Sequence, residues 1–191
     1  MDFIGSINPP SSSSHKWILT TTDYFTRWKK EIILKDAIES LVVEFLDGII
    51  TRVGTPSTII SDNAKSFVGA QIFAWVIDHN IYLSTSSNYY PQGNGLANSS
   101  NKNLTKIMKR IIEDNQRCWH QKLKKTLWVD RIMPKRAIGN SHFILVYGRE
   151  ARLPISLEFT TLELAHQLEL DSNDAMIVRI LELMEVEEKI N

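Results

Sequence analysis

Cysteine is almost absent from this chain: Cys118 is the one thiol in 191 residues. A single cysteine cannot close an internal disulfide and cannot build a cysteine-rich zinc site. Beside Trp119 it reads as a small, partly buried hydrophobe rather than a catalytic thiol. Long apolar runs are also missing, none reaching the roughly 18 residues of a membrane span. Asp2 follows Met1 directly, where a signal peptide would begin its basic and apolar regions. The chain therefore reads as soluble and intracellular, with no membrane partner. Repeats are lacking too, and Ser11 to Ser14 is the only low-complexity patch.

Net charge is likewise zero, 22 Lys/Arg against 22 Asp/Glu, but the balance conceals a division. From Lys102 to Arg136 eleven Lys/Arg stand against three acids, whereas from Glu150 to Asn191 ten acids stand against three bases. A concentrated positive region is the electrostatic footprint of nucleic-acid binding, and an acidic tail more often solubilises or connects. With 43% hydrophobic residues the chain can bury one substantial core.

The order of elements predicts an α/β domain. "MDFIGSI", "WILTTTDYF" and "WKKEIIL" are β-branched and aromatic, with a Pro/Ser loop after the first, so three strands form an antiparallel meander. Asp36 can cap a helix in which Ile38, Leu41, Val42, Phe45, Leu46 and Ile49 recur at three- and four-residue intervals until Gly54-Thr55-Pro56. A brief strand at Thr58 to Ile60, a helix over Val68 to His79 and a strand at "IYLST" follow, as in a mixed sheet. After Pro91, Gly93 and Gly95 comes a helix with Leu96, Ser100, Leu104, Ile107, Met108 and Ile111 on its apolar face, and Asn98, Lys102, Thr105 and Lys109 opposite. Another helix is predicted from Arg117 to about Trp128, then an irregular closing segment, then an acidic amphipathic helix over Ala175 to Ile190.

Two acids stand out by position. Asp2 lies in the first strand and Asp62 ends the strand of "IISDNAKSF", where α/β proteins open a crevice for chemistry. Asn98 follows Asp62 with 35 residues between them, at the start of a helix that leaves a Gly-rich turn.

At these residues the chain resembles the catalytic core of retroviral-type integrases, most closely those of gypsy-type LTR retrotransposons of plants. "MDFIG" is similar to the strand of the first Asp, "TDYFTRW" to the hairpin after it, and "ISDNAKSF" to the turn of the second Asp. "NYYPQGNGLANSSNKNL" is similar to the segment that enters the catalytic helix, and "LVYGREARLP" to a closing signature of that group. The likeness runs through about Leu157, with residues 158–191 as an acidic linker and helix. It implies an RNase H-like fold: a five-stranded mixed sheet flanked by helices.

The resemblance also implies a reaction, metal-dependent DNA strand transfer, with Mg²⁺ or Mn²⁺ held by hard oxygen ligands. Carried over by position, Asp2 and Asp62 would be the metal ligands, and Asn98 stands where the family places a catalytic Glu. An amide supplies one neutral carbonyl oxygen in place of an anion, so catalysis is expected to be impaired while nucleic-acid binding survives. Lys102 matches a lysine that approaches DNA ends in the family. Thr105 replaces a residue commonly basic there, Lys106 and Lys109 extend the charge, and Gln92 and Asn94 fall in the mobile loop before the helix. The alternative is a polynucleotidyl transferase still working with Asp2 and Asp62 around a weakened site. DNA is the implied partner, homo-oligomers the implied assembly and the nucleus the implied location. A His/Cys zinc module and a C-terminal DNA-binding domain, usual in the family, are not recognisable, so the chain reads as a fragment.

Overall fold

The computed structural model describes residues 1–86, 94–112, 116–135 and 138–152. It divides into two compact units, one of residues 1–22 and 29–103, the other of residues 23–28 and the chain from Leu104 onward.

In the first unit, β1 (Asp2–Ile4), β2 (Trp17–Thr22) and β3 (Lys29–Leu34) form the expected antiparallel meander. Asp2 is opposite Thr20, and Thr20 is opposite Glu31. Two further strands, β4 (Thr58–Ser61) and β5 (Tyr82–Thr85), run parallel, connected through α2 (Ala70–Asp78) as a crossover requires. The expected single five-stranded sheet is therefore present as a three-stranded and a two-stranded sheet. The Met1 amino nitrogen donates to the Ile60 carbonyl, bringing β1 beside β4. A strand of three residues offers few groups for a continuous ladder, which is why the two sheets stay distinct.

Helix α1 (Glu39–Val53) follows the apolar spacing of the sequence, with Val42, Phe45 and Leu46 buried. Asp36 does not cap it: the helix begins after Ile38, in extended conformation and without a side-chain cap. The intervening Ala37 carbonyl accepts from the Ser66 hydroxyl at 2.5 Å, which holds that stretch out of the helix. The core gathers Leu19 and Leu34 from the meander, Ile59 from β4, Phe67, and Ile72, Trp75 and Val76 from α2. Phe3 stacks on Phe67 with centroids 4.6 Å apart, anchoring β1 one residue beyond Asp2.

Helix α3 (Gly95–Ile111) begins in the first unit and ends in the second. In the second unit α4 (Trp119–Ile132) follows a 3-10 turn at Gln116–Cys118, with Trp119, Leu123, Leu127 and Val129 buried. The segment expected to be irregular contains the two-residue strands β6 (Pro134–Lys135) and β7 (Asn140–Ser141) and a helix, α5 (His142–Tyr147). Ser141 caps α5 by accepting from the Ile144 N–H, and Gly148 ends it in the left-handed conformation. The expected acidic helix at 175–190 lies outside the described residues.

Candidate active site

Asp2 is held where three elements meet, and its surroundings explain its chemistry. Pairing with β2 sets Thr20 directly across from it, and the Thr20 hydroxyl lies 3.1 Å from the Asp2 carbonyl oxygen and 3.0 Å from Asn101 Oδ1. The Asn101 amide nitrogen donates to Asp2 Oδ2 at 2.9 Å. All three side chains are buried, Asp2 at 8% exposure. Burial pushes the Asp2 carboxyl above its ordinary pKa of 3.8, the Asn101 hydrogen bond pulls it back, and the negative charge of Asp62 raises it again.

That last influence brings the two sequence-predicted acids into one electrostatic neighbourhood. Asp62 directly follows β4 and is half-exposed. Its Oδ1 accepts from the Ala64 N–H at 3.0 Å, an Asx turn that fixes the carboxylate as the chain leaves the strand. Two carboxylates on neighbouring strand ends are a hard-oxygen donor pair. Among the described residues no cluster of three or more His, Cys, Asp or Glu is placed to hold a metal.

Asn98 is exposed on the first turn of α3. The buried stripe of this helix keeps the predicted Leu104, Ile107 and Met108 but differs toward its start. Ala97, Asn101, Leu104 and Met108 face inward, a four-three-four spacing, whereas Leu96 and Ser100 are half-buried. Asn101 is the functional-site residue the sequence reading missed. An asparagine three positions beyond Asn98 carries no hydrophobic signal, and its partners Thr20 and Asp2 lie 81 and 99 positions away.

The loop residues separate. Asn94, expected in the mobile substrate loop, is buried, and its amide donates to the Met1 carbonyl at 3.2 Å, so it pins the start of β1 instead. Gln92 lies outside the described residues. Lys102, Lys106 and Lys109 are exposed, at helical intervals of four and three, and Thr105 is half-buried. No helix among the described residues is long and apolar enough to cross a membrane.

No protein-family model matches the chain. It is 22% identical over 164 residues, 82% of its length, to the Pro-Pol polyprotein of feline foamy virus, of which the match covers 13%. It is 26% identical over 143 residues, 73% of its length, to the Gag-Pol polyprotein of baboon endogenous virus, covering 8% of that protein. The Transposon Tf2-3 polyprotein of Schizosaccharomyces pombe is 26% identical over 124 residues, 62% of this chain and 9% of the polyprotein. The chain thus spans a small part of the curated relatives it matches. A solved structure, the simian T-cell lymphotropic virus intasome in complex with PP2A regulatory subunit B56 gamma, shares the fold with a TM-score of 0.63. Its identity is 20%, and the match covers 80% of this chain and 55% of that one. Together these likenesses support a retroviral-type integrase core.

Proposed function

We propose that this chain is the catalytic-core portion of a retrotransposon integrase, acting in DNA integration, which binds DNA while its strand-transfer chemistry is impaired at Asn98. The observation that carries this reading is that buried Asp2 lies within electrostatic reach of Asp62, on strands joined by the Met1 to Ile60 hydrogen bond, while position 98 presents only a neutral amide. Residues 1–157 make up the core in this reading, and residues 158–191 the acidic linker. The Met1 to Ile60 hydrogen bond supports one RNase H-like sheet in which β1 sits between β2 and β4. Homo-oligomers and a nuclear location follow from the same reading.

A Mg²⁺ or Mn²⁺ ion, when bound, would supply charge to stabilise an attacking oxygen and the phosphodiester under attack. Asp2 and Asp62 are the residues to hold it. Asn101 holds the Asp2 carboxylate in place and Thr20 holds its main chain. Asn98 would contribute one carbonyl oxygen without charge. Replacing an anion some 4 Å from a dication by an amide costs several kcal/mol even at an effective dielectric of about 20. Each ~1.4 kcal/mol lost from the transition state slows the reaction about tenfold.

Lys102, Lys106 and Lys109, and Thr105 beside them, form the face of α3 that would run along a phosphate backbone, giving sequence-independent, salt-sensitive affinity. The second reading, a still active polynucleotidyl transferase, is favoured by one observation: the Asp2 and Asp62 carboxylates are each held by a hydrogen bond. Metal binding and strand transfer measured side by side for the parent and the Asn98→Glu protein decide between the two.

A further inference from the structure

The turn between β2 and β3, Asp23 to Trp28, is built more rigidly than a surface turn needs. Asp23 Oδ1 accepts from the Thr26 N–H at 2.8 Å and from the Thr26 hydroxyl at 2.6 Å. The Asp23 N–H donates to the Trp28 carbonyl at 2.9 Å, and the Arg27 N–H to the Asp23 carbonyl at 3.0 Å. Arg27 sits in the left-handed region with φ of 61°, uncommon for a residue with a side chain and costly unless the surroundings enforce it.

What this rigidity displays is aromatic. Trp28, at one end of the turn, is packed: the Arg131 guanidinium lies 4.5 Å over its ring, and Tyr147 meets it edge-on at 5.6 Å. Tyr24 and Phe25 are instead held out at 62% and 84% exposure, edge-to-face with centroids 5.5 Å apart. Arg27 covers one face of Tyr24 at 5.2 Å, putting a cation beside the pair. Exposed rings fixed in place cost solvation without adding to a core, which marks them as a contact surface. The same unit carries most of the basic stretch from Lys102 to Arg136, eleven Lys/Arg against three acids, whose local charge complements a polyanion, although with its acidic tail the unit as a whole holds fifteen Lys/Arg against fourteen Asp/Glu.

We infer that Tyr24 and Phe25 form a stacking platform for unpaired bases of single-stranded DNA, with Arg27 drawing the adjoining phosphate. This rests on the DNA-binding reading proposed above and adds to it a preference for strands whose bases are free to stack. A fixed aromatic pair suits that ligand because every base has a π-face, so no sequence preference is expected. A paired base keeps its faces inside the duplex and gains nothing from Phe25.

The test is fluorescence anisotropy with the full chain, titrating labelled oligothymidylate and a blunt duplex in parallel. The Tyr24→Ala/Phe25→Ala protein should bind oligothymidylate about tenfold or more weakly than the parent, with duplex affinity little changed. Phe25→Ala alone, which leaves the Tyr24–Arg27 contact in place, should show part of that loss, and Phe25→Trp should restore binding. Equal oligothymidylate affinity in the parent and both alanine variants overturns the platform, as does an equal loss in both arms. A variant that changes sedimentation but not single-strand affinity overturns it in favour of contact with a second copy of the chain. A parent that binds duplex but not oligothymidylate overturns the platform alone; a parent that binds neither overturns the DNA reading as well.

Discussion

Asn101 and Asp2, 99 positions apart in sequence, share a hydrogen bond of 2.9 Å from amide to carboxylate, away from solvent. That bond stabilises the charged form of an acid whose pKa burial raises. Asn101→Ala should therefore raise the Asp2 pKa further and destabilise the domain by about 1–3 kcal/mol, the cost of leaving a buried polar group without its partner. Urea unfolding reads the stability and a Mn²⁺ titration at several pH values reads the pKa. An unchanged unfolding midpoint together with an unchanged titration would refute the role given to Asn101.

The pH dependence has a defined sign. The folded Asp2 carboxyl holds its proton more tightly than the unfolded one, whose ordinary pKa is 3.8. Its contribution to stability is thus greatest below that value and is lost as pH rises from there through the raised folded pKa. Asp2→Asn keeps an acceptor for the Asn101 amide and removes the titration. This variant should unfold at higher urea than the parent at neutral pH and show a flatter pH profile in the same window. A variant less stable than the parent at neutral pH would contradict this.

For catalysis, Asn98→Glu should raise Mn²⁺-dependent strand transfer, or disintegration of a branched DNA, by several orders of magnitude. Asp62→Asn introduced into the unmodified protein should change nothing measurable. If the unmodified protein already shows metal-dependent activity that Asp62→Asn abolishes, the impaired reading is wrong and the active transferase stands.

Duplex binding should depend on the helix face of α3. Lys102→Ala/Lys109→Ala should weaken duplex affinity uniformly across sequences and reduce the salt slope by about two, near one for each phosphate that no longer meets a lysine. Anisotropy titrations over a range of salt concentrations check it, and a slope identical to the parent's would remove these lysines from the interface.

Much of the first unit was legible because its signals are local. β-branched and aromatic runs marked β1 to β3, and the apolar spacing of α1 placed Val42, Phe45 and Leu46 inside. On the inward face of α3, Leu104, Ile107 and Met108 were legible from their spacing, but Ala97 and Asn101 were not, since Ala97 is too small to mark a core position and Asn101 is buried only because Thr20 and Asp2 meet it. Asn94 looked like a loop residue for the same reason: its partner is a main-chain carbonyl that no local pattern announces. Helix α5 is too short for periodicity to reveal, although Ser141 and Gly148 mark its two ends. Asp2 and Asp62 were singled out by position and resemblance, whereas the approach of β1 to β4 through the Met1 to Ile60 hydrogen bond is tertiary and leaves no local signal.

Glu39 opens α1, yet its carboxylate accepts from the Ile72 N–H at 2.9 Å, closing the first turn of α2 from another helix. Gly69 leaves the room for it: a methyl group there would collide with the Glu39 carboxylate. The two helices consequently share one latch. Opening the first turn of α1 releases the start of α2, so the amide protons of both ends should exchange with solvent as a single cooperative unit rather than fray one at a time.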